Sequence, residues 1–205
     1  MAETSATPIA TLDLAPALPP PISGANPNHG SYALSLSLYE ASIPNYVRML
    51  RNLDALLDKA AAHAKQTGVD LSSYTDAKLA EDMHPLPRQI HLASDAAKGG
   101  AARLARIEAP SMPDVEVTFP ELKARIAKTL AFLETIKPEQ VNGDEERIIE
   151  LKFPNRTMSF TAKDFLFSFS MPNFLFHVTT AYALLRNKGV PLGKMDYLAG
   201  AQVAA

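Results

Sequence analysis

Two pairs of polar side chains, each spaced four residues apart, are the groups in this sequence best placed to do chemistry: His91 with Asp95, and Asn173 with His177. On a helix that spacing stacks two side chains on one face. An imidazole oriented by a carboxylate acts as a general base, a second imidazole serves as acid, and an amide can hold a substrate carbonyl or enolate. Brought together, the four would serve proton transfer, elimination, isomerisation or cyclisation of a small, mostly apolar molecule. His91, Asp95 and His177 are therefore the catalytic candidates. His84, Phe169, Asn173, Phe174 and Tyr182 are the substrate-binding candidates, with Phe165 and Phe176 completing the aromatic walls. The same residues admit a structural reading, because a buried His beside Asn also satisfies a core hydrogen bond and fixes helix register. A phenylalanine stripe likewise packs a core.

Other chemistries are excluded by composition. The chain has no cysteine, so disulfides, thiolate metal sites and a cysteine nucleophile are ruled out together. Gly99-Gly100 lacks the later glycine, lysine and strand context of a phosphate loop, and no serine nucleophile elbow occurs. With a formal net charge of -2 and scattered Lys and Arg, there is no electrostatic footprint for nucleic acid or an anionic membrane. Apolar runs are interrupted well before the roughly 20 residues of a membrane span. A chain of 205 residues, 47% hydrophobic and 20% charged, suits one globular domain. A cytoplasmic location is the expectation, since the start of the chain has neither the basic and apolar regions of a secretory signal nor the arginines of a transit peptide.

Helices must position the two pairs. Residues 1–34, with Pro19-Pro20-Pro21 and many Ala, Ser and Thr, read as a flexible or polyproline-like arm. The domain spans 35–198, followed by a frayed Ala-rich tail at 199–205. Ile43, Val47, Leu50, Asp54, Leu57, Ala61 and Ala64 recur at helical spacing, giving a first helix over Leu38 to Gln66 closed by Gly68. The DMHPLP run at 82–87 leads into a second helix reaching about Ile107. Its inward residues, Ile90, Ala93, Ala97, Ala101 and Leu104, are small around Gly99-Gly100 and predict a kink, tight packing or a pocket. Thr118 and Glu121 form a capping box for a third helix ending near Ile136. Between Arg147 and Phe160 the period changes to alternation around Pro154-Asn155-Arg156, which predicts a hairpin. Thr161 and Asp164 cap a fourth helix that should bend at Pro172 and stop at Gly189 and Pro191. Its surface is apolar almost all round, the mark of a buried helix.

The stretches SLYEASIPNYVRMLRNLDALLDKA, EDMHPLPRQIHLASDAAKGG and PNFLFHVTTAYALLRNKGVPLGKMDYL resemble a microbial family known only as a domain of unknown function within the DinB-like superfamily. The resemblance covers roughly Leu36 to Leu198. It implies an all-α fold, a DinB-like up-down four-helix bundle with a small β-hairpin between helices 3 and 4. The superfamily is known for a divalent metal held by one histidine from the second helix and two, spaced HxxxH, from the fourth. His177 matches the later of these, Asn173 stands where the earlier would be, and His91 is the second-helix candidate. Asn is a poor ligand beside imidazole, so Asp95 or His84 would have to complete such a site. The expectation is therefore a cofactor-independent isomerase, lyase or cyclase of a microbial biosynthetic type, with a divalent metal as the alternative. A non-catalytic helical ligand-binding or dimerisation module is the second reading, and a metal- or thiol-dependent transferase, implied by the superfamily, the third. A small, mostly apolar ligand is the expected partner. DinB-like relatives also suggest a homodimer, for which the apolar edge of the first helix offers a face.

Overall fold

A computed structural model of the chain describes residues 36–200. The expected arm at 1–34, with His29, and the last five residues of the tail lie outside them. Four long helices make the bundle: α1 (Leu38–Thr67), α3 (Leu86–Ala105), α4 (Phe119–Glu134) and α7 (Met171–Asn187). Short helices α2 (Ser72–Thr75), α5 (Pro138–Val141), α6 (Ala162–Asp164) and α8 (Lys194–Ala199) lie between or after them, and β1 (Ile148–Phe153) pairs antiparallel with β2 (Arg156–Thr161). The short helices were not foreseen, being too brief for a periodic pattern to reveal.

The bundle closes as a ring in which α1 packs on α4 and α7, and α3 on α4 and α7. Segment 106–118 doubles back along α3, since Asp114 pairs with Arg88 and the Glu116 carbonyl accepts from the His91 ring at 3.0 Å. Thus α4 starts beside the N-terminal half of α3. Leu50, Leu53, Leu56, Leu57, Ile90, Leu104, Leu122, Ile126, Phe174 and Leu184 fill the middle, all fully buried. Compared with the expected stripe on α1, burial is shifted toward Tyr46, Leu53, Leu56 and Ala60, while Asp54 sits at the edge and pairs with Lys123 at 2.8 Å.

Two local solutions shape the bundle. Pro44 lies inside α1, where it cannot donate to the Glu40 carbonyl. Asn45 supplies the missing donor, its Nδ2 reaching the Glu40 and Ala41 carbonyls at 3.3 and 3.0 Å. In the fourth long helix the irregularity comes before Pro172 rather than as a bend at it. Residues Phe165–Ser170 wind as a π-helix between α6 and α7. Pro172 has no N–H for the Ser168 carbonyl, and its ring would crowd an α-helical turn there; a wider turn relieves both. The helix is not apolar-buried all round either: Asn173 is exposed and Phe176 is 55% exposed.

Candidate functional site

The seam between α3 and α7 carries almost every polar group singled out in the sequence, and it distributes them among three places. The first is a buried ion network around Arg125 of α4, whose side chain is fully buried. Arg125 Nη2 meets Asp95 Oδ1 at 3.0 Å and Asp114 Oδ1 at 2.8 Å, and Nη1 meets Glu116 Oε2 at 3.0 Å. Asp95 Oδ1 also accepts from Lys98 at 3.0 Å. His91 belongs to this network, 3.4 Å from Glu116 Oε2. Burial first, and the Arg125 charge second, push the His91 pKa below its ordinary value, against the opposing pull of Asp114 and Glu116. The pairing of Asp95 with His91 suggested by their spacing is therefore replaced by pairing of both with groups from outside α3. Arg125 itself was missed because a single cation at helical spacing looks like any solvated one; only the segment 106–118 folded over it makes it interior.

The second place is the N-terminal end of α3. Gln89, buried, donates from Nε2 to the His84 carbonyl at 3.1 Å, so its Oε1 is turned to His177 and accepts from Nδ1–H at 2.8 Å. This fixes the His177 tautomer with Nε2 as the basic nitrogen. Burial, then the neighbouring His84 and Arg88, lowers its pKa. His84 itself is exposed. His177 and His91 share no partner, so the two imidazoles do not form one acid/base couple.

The third place is a cleft of about 230 Å³. Leu92, Asp95, Ala96, Gly100 and Arg103 of α3 form one wall, Leu151, Lys152 and Phe153 of β1 another, and Phe165, Phe169, Ser170 and Asn173 the third. Asp95, Phe169 and Asn173 thus meet here as the sequence suggested. Phe174 does not: it is fully buried, edge-to-face with Tyr46 at 5.1 Å. Tyr182 is also elsewhere, against Tyr197 of α8 at 5.9 Å.

The π turn places Ser170 Oγ 2.8 Å from the hydroxyl of Tyr46, a fully buried residue of α1. Burial pushes this phenol up to about 12, so it stays protonated. When Tyr46 donates to Ser170, the serine hydrogen is left for the cleft that Ser170 lines. Gly100 makes room for this pair, because a Cβ there would run into Ser170 Oγ and come within 2.9 Å of the Tyr46 hydroxyl. Among the three outcomes expected of Gly99-Gly100, tight packing is the one Gly100 realises, and it borders a cleft. Arg125 and Lys98 both meet Asp95 at Oδ1, and Asp95 lines the cleft. The site therefore offers a carboxylate oxygen, a hydroxyl backed by a phenol, and an amide, walled by the stacked rings of Phe165 and Phe169.

The histidine-bound metal implied by the superfamily does not fit these residues. His177 is held by Gln89 near the start of α3, His91 by the Glu116 carbonyl of segment 106–118, and Asn173 lines the cleft, so the three candidate ligands stand in three different places. Among the described residues no three His, Cys, Asp or Glu side chains are grouped to hold an ion.

A helical bundle with a hairpin before its last long helix matches the DinB-like helical fold. The chain is similar to the crystal structure of a DinB family member from Shewanella denitrificans, at 38% identity and a TM-score of 0.73 over 78% of this chain and 91% of that one. Residues 38–198 match the model of a domain of unknown function, DUF1993, and the chain belongs to that family. No curated protein matches it. Among the described residues no helix is long and apolar enough to cross a membrane.

Proposed function

We propose that the protein is a small-molecule enzyme working by acid/base chemistry, with the cleft between α3, β1 and the π turn as its site. The observation that supports this is the convergence of Asp95, Ser170 backed by Tyr46, and Asn173 on one concave, partly apolar surface. In this reading the carboxylate of Asp95 takes a proton from carbon. Ser170 donates to the oxygen on which negative charge develops, and the Asn173 amide orients the same carbonyl group. A π turn at a helix is a costly irregularity that recurs at functional sites, and here it delivers one of the three groups. Isomerisation, elimination and cyclisation all begin with such a proton transfer. His91 and His177 act as positioning groups for the helices, not as proton carriers.

The alternative, a ligand-binding module without catalysis, is favoured by one observation: Asp95 is already engaged by two cations, Arg125 and Lys98, as a structural ion pair would be. One experiment separates the two. Small ketones and unsaturated carbonyl compounds are screened by ligand-observed NMR in D2O, and binders are followed for deuterium appearing on the carbon next to the carbonyl. Exchange that disappears in Asp95→Asn supports the enzyme. Binding at the cleft with no exchange above buffer would replace it by the binding module.

A further inference from the structure

The charges around the cleft say which end of a ligand it should hold. Several cations of the domain pair with acids: Arg51 with Glu134 at 2.9 Å, Arg106 with Asp144 at 2.9 Å, Lys123 with Asp54 and Asp58 at 2.8 Å, and Arg88 with Asp114. The two cations that line the cleft do not. Among the described residues the Arg103 guanidinium bonds only within its own helix, through Nη1 to the Gly99 carbonyl at 2.9 Å, and Lys152 has no acidic partner. Arg156, from β2, stands over the ring of Phe153, which lines the cleft, with its guanidinium carbon 5.6 Å from the centroid. The sole acid lining the cleft is Asp95, already neutralised at Oδ1 by Arg125 and Lys98. The concave surface therefore carries an excess of positive charge brought from a helix and a hairpin that are far apart in sequence.

Another part of the wall is aromatic. Phe165 and Phe169 are stacked with centroids 6.2 Å apart and an interplanar angle of 22°, and Leu92 and Leu151 complete the apolar part. A volume of about 230 Å³ falls below the usual range for drug-sized ligands. We infer that the ligand of this cleft is a small, planar, unsaturated or aromatic monocarboxylate. Its carboxylate meets the planar fork of Arg103 and the ammonium of Lys152, and its flat body lies against Phe165 and Phe169. The inference rests on the reading of the cleft as a small-molecule site and names the substrate class for it.

The test uses the full chain labelled with nitrogen-15 and three probes of similar shape: cinnamate, cinnamamide and phenyl phosphate. The backbone amides of Gly100, Ser170 and Asn173 report occupancy. Cinnamate should shift them and bind about tenfold more tightly than cinnamamide, the scale of two exposed charge pairs. The Arg103→Met, Lys152→Met double variant should erase that preference while still binding cinnamamide. Equal occupancy by acid and amide would overturn the anion assignment and leave the small-molecule site standing. Tighter binding of phenyl phosphate would overturn the carboxylate. If none of the three moves those amides while the variant and the parent melt alike, both the inference and the site reading fail.

Discussion

The seam between α3 and α7 treats polar side chains in opposite ways at its two ends. Near the start of α3, His177, Gln89 and the His84 backbone form a closed chain in which Gln89 uses both ends of its amide. Toward the far end, Gly100 removes a side chain, the π turn sets Ser170 against Tyr46, and Asp95 lines open volume. Histidines are the residues a reader of sequence trusts most for catalysis, yet here they stand where hydrogen bonding is complete. A satisfied polar group fixes structure; a polar group with spare capacity beside a cleft is available to a ligand.

Breaking the ion network should have the largest effect, because it supports both ends. Arg125→Met leaves Asp95, Asp114 and Glu116 without their shared cation, and a loss of about 3–5 kcal/mol is expected in chemical denaturation, the range for orphaned buried charges. A loss under about 1 kcal/mol would mean that the carboxylates simply turn to solvent. Filling the cleft end comes next. Gly100→Ala should cost about 1–3 kcal/mol by overpacking against Ser170 and Tyr46. Adding Ser170→Ala should recover most of that, whereas independent sites would give additive losses.

At the closed end, His177→Ala should cost about 1–3 kcal/mol, since Gln89 Oε1 loses its donor in a buried place. The same variant should leave binding at the cleft unchanged, and a binding loss without a melting change would reverse the roles assigned to the two ends. Asn173→Ala should do the opposite, changing stability by less than about 0.5 kcal/mol, as expected for an exposed residue, while weakening ligand binding.

The smallest effect is on pH dependence. His91 and His177 both have lowered pKa values in the folded chain, burial being the main cause. The unfolded chain then binds more protons as pH drops below the ordinary histidine value of about 6.5. Their contribution to stability is full above that pH and is lost as pH falls through the lowered values. Melting temperature should decline between pH 7.5 and 5.5, and a His91→Gln, His177→Gln variant should show a shallower decline even though it starts lower.

Much of the fold was legible. The Thr118 and Glu121 capping box starts α4 as read, with Glu121 Oε2 accepting from the Thr118 N–H at 2.8 Å. Hydrophobic spacing located the four long helices to within a few residues, and alternation located the hairpin. These signals are local, so a sequence carries them whole. The apolar face of the last helix was over-read because the many phenylalanines and leucines between Phe165 and Phe176 mask two exposed ones, Phe167 and Phe176, at 51% and 55% exposure.

The candidate site was legible only in fragments. Asp95, Phe169 and Asn173 stood out for their types, and Gly99-Gly100 signalled a special place. Tyr46, Ser170, Gln89 and Arg125 gave no signal, being ordinary residues at ordinary helical positions. Their roles come from partners 30 to 124 residues away: Arg125 with Asp95, Gln89 with His177, Tyr46 with Ser170. The sequence by itself determined which segments become helices, where they begin, and that the chain belongs to a helical bundle with one hairpin. Only the tertiary structure decided which polar groups are saturated and which remain free, because hydrogen-bond capacity is spent between elements, at distances of about 3 Å that no spacing along one helix encodes.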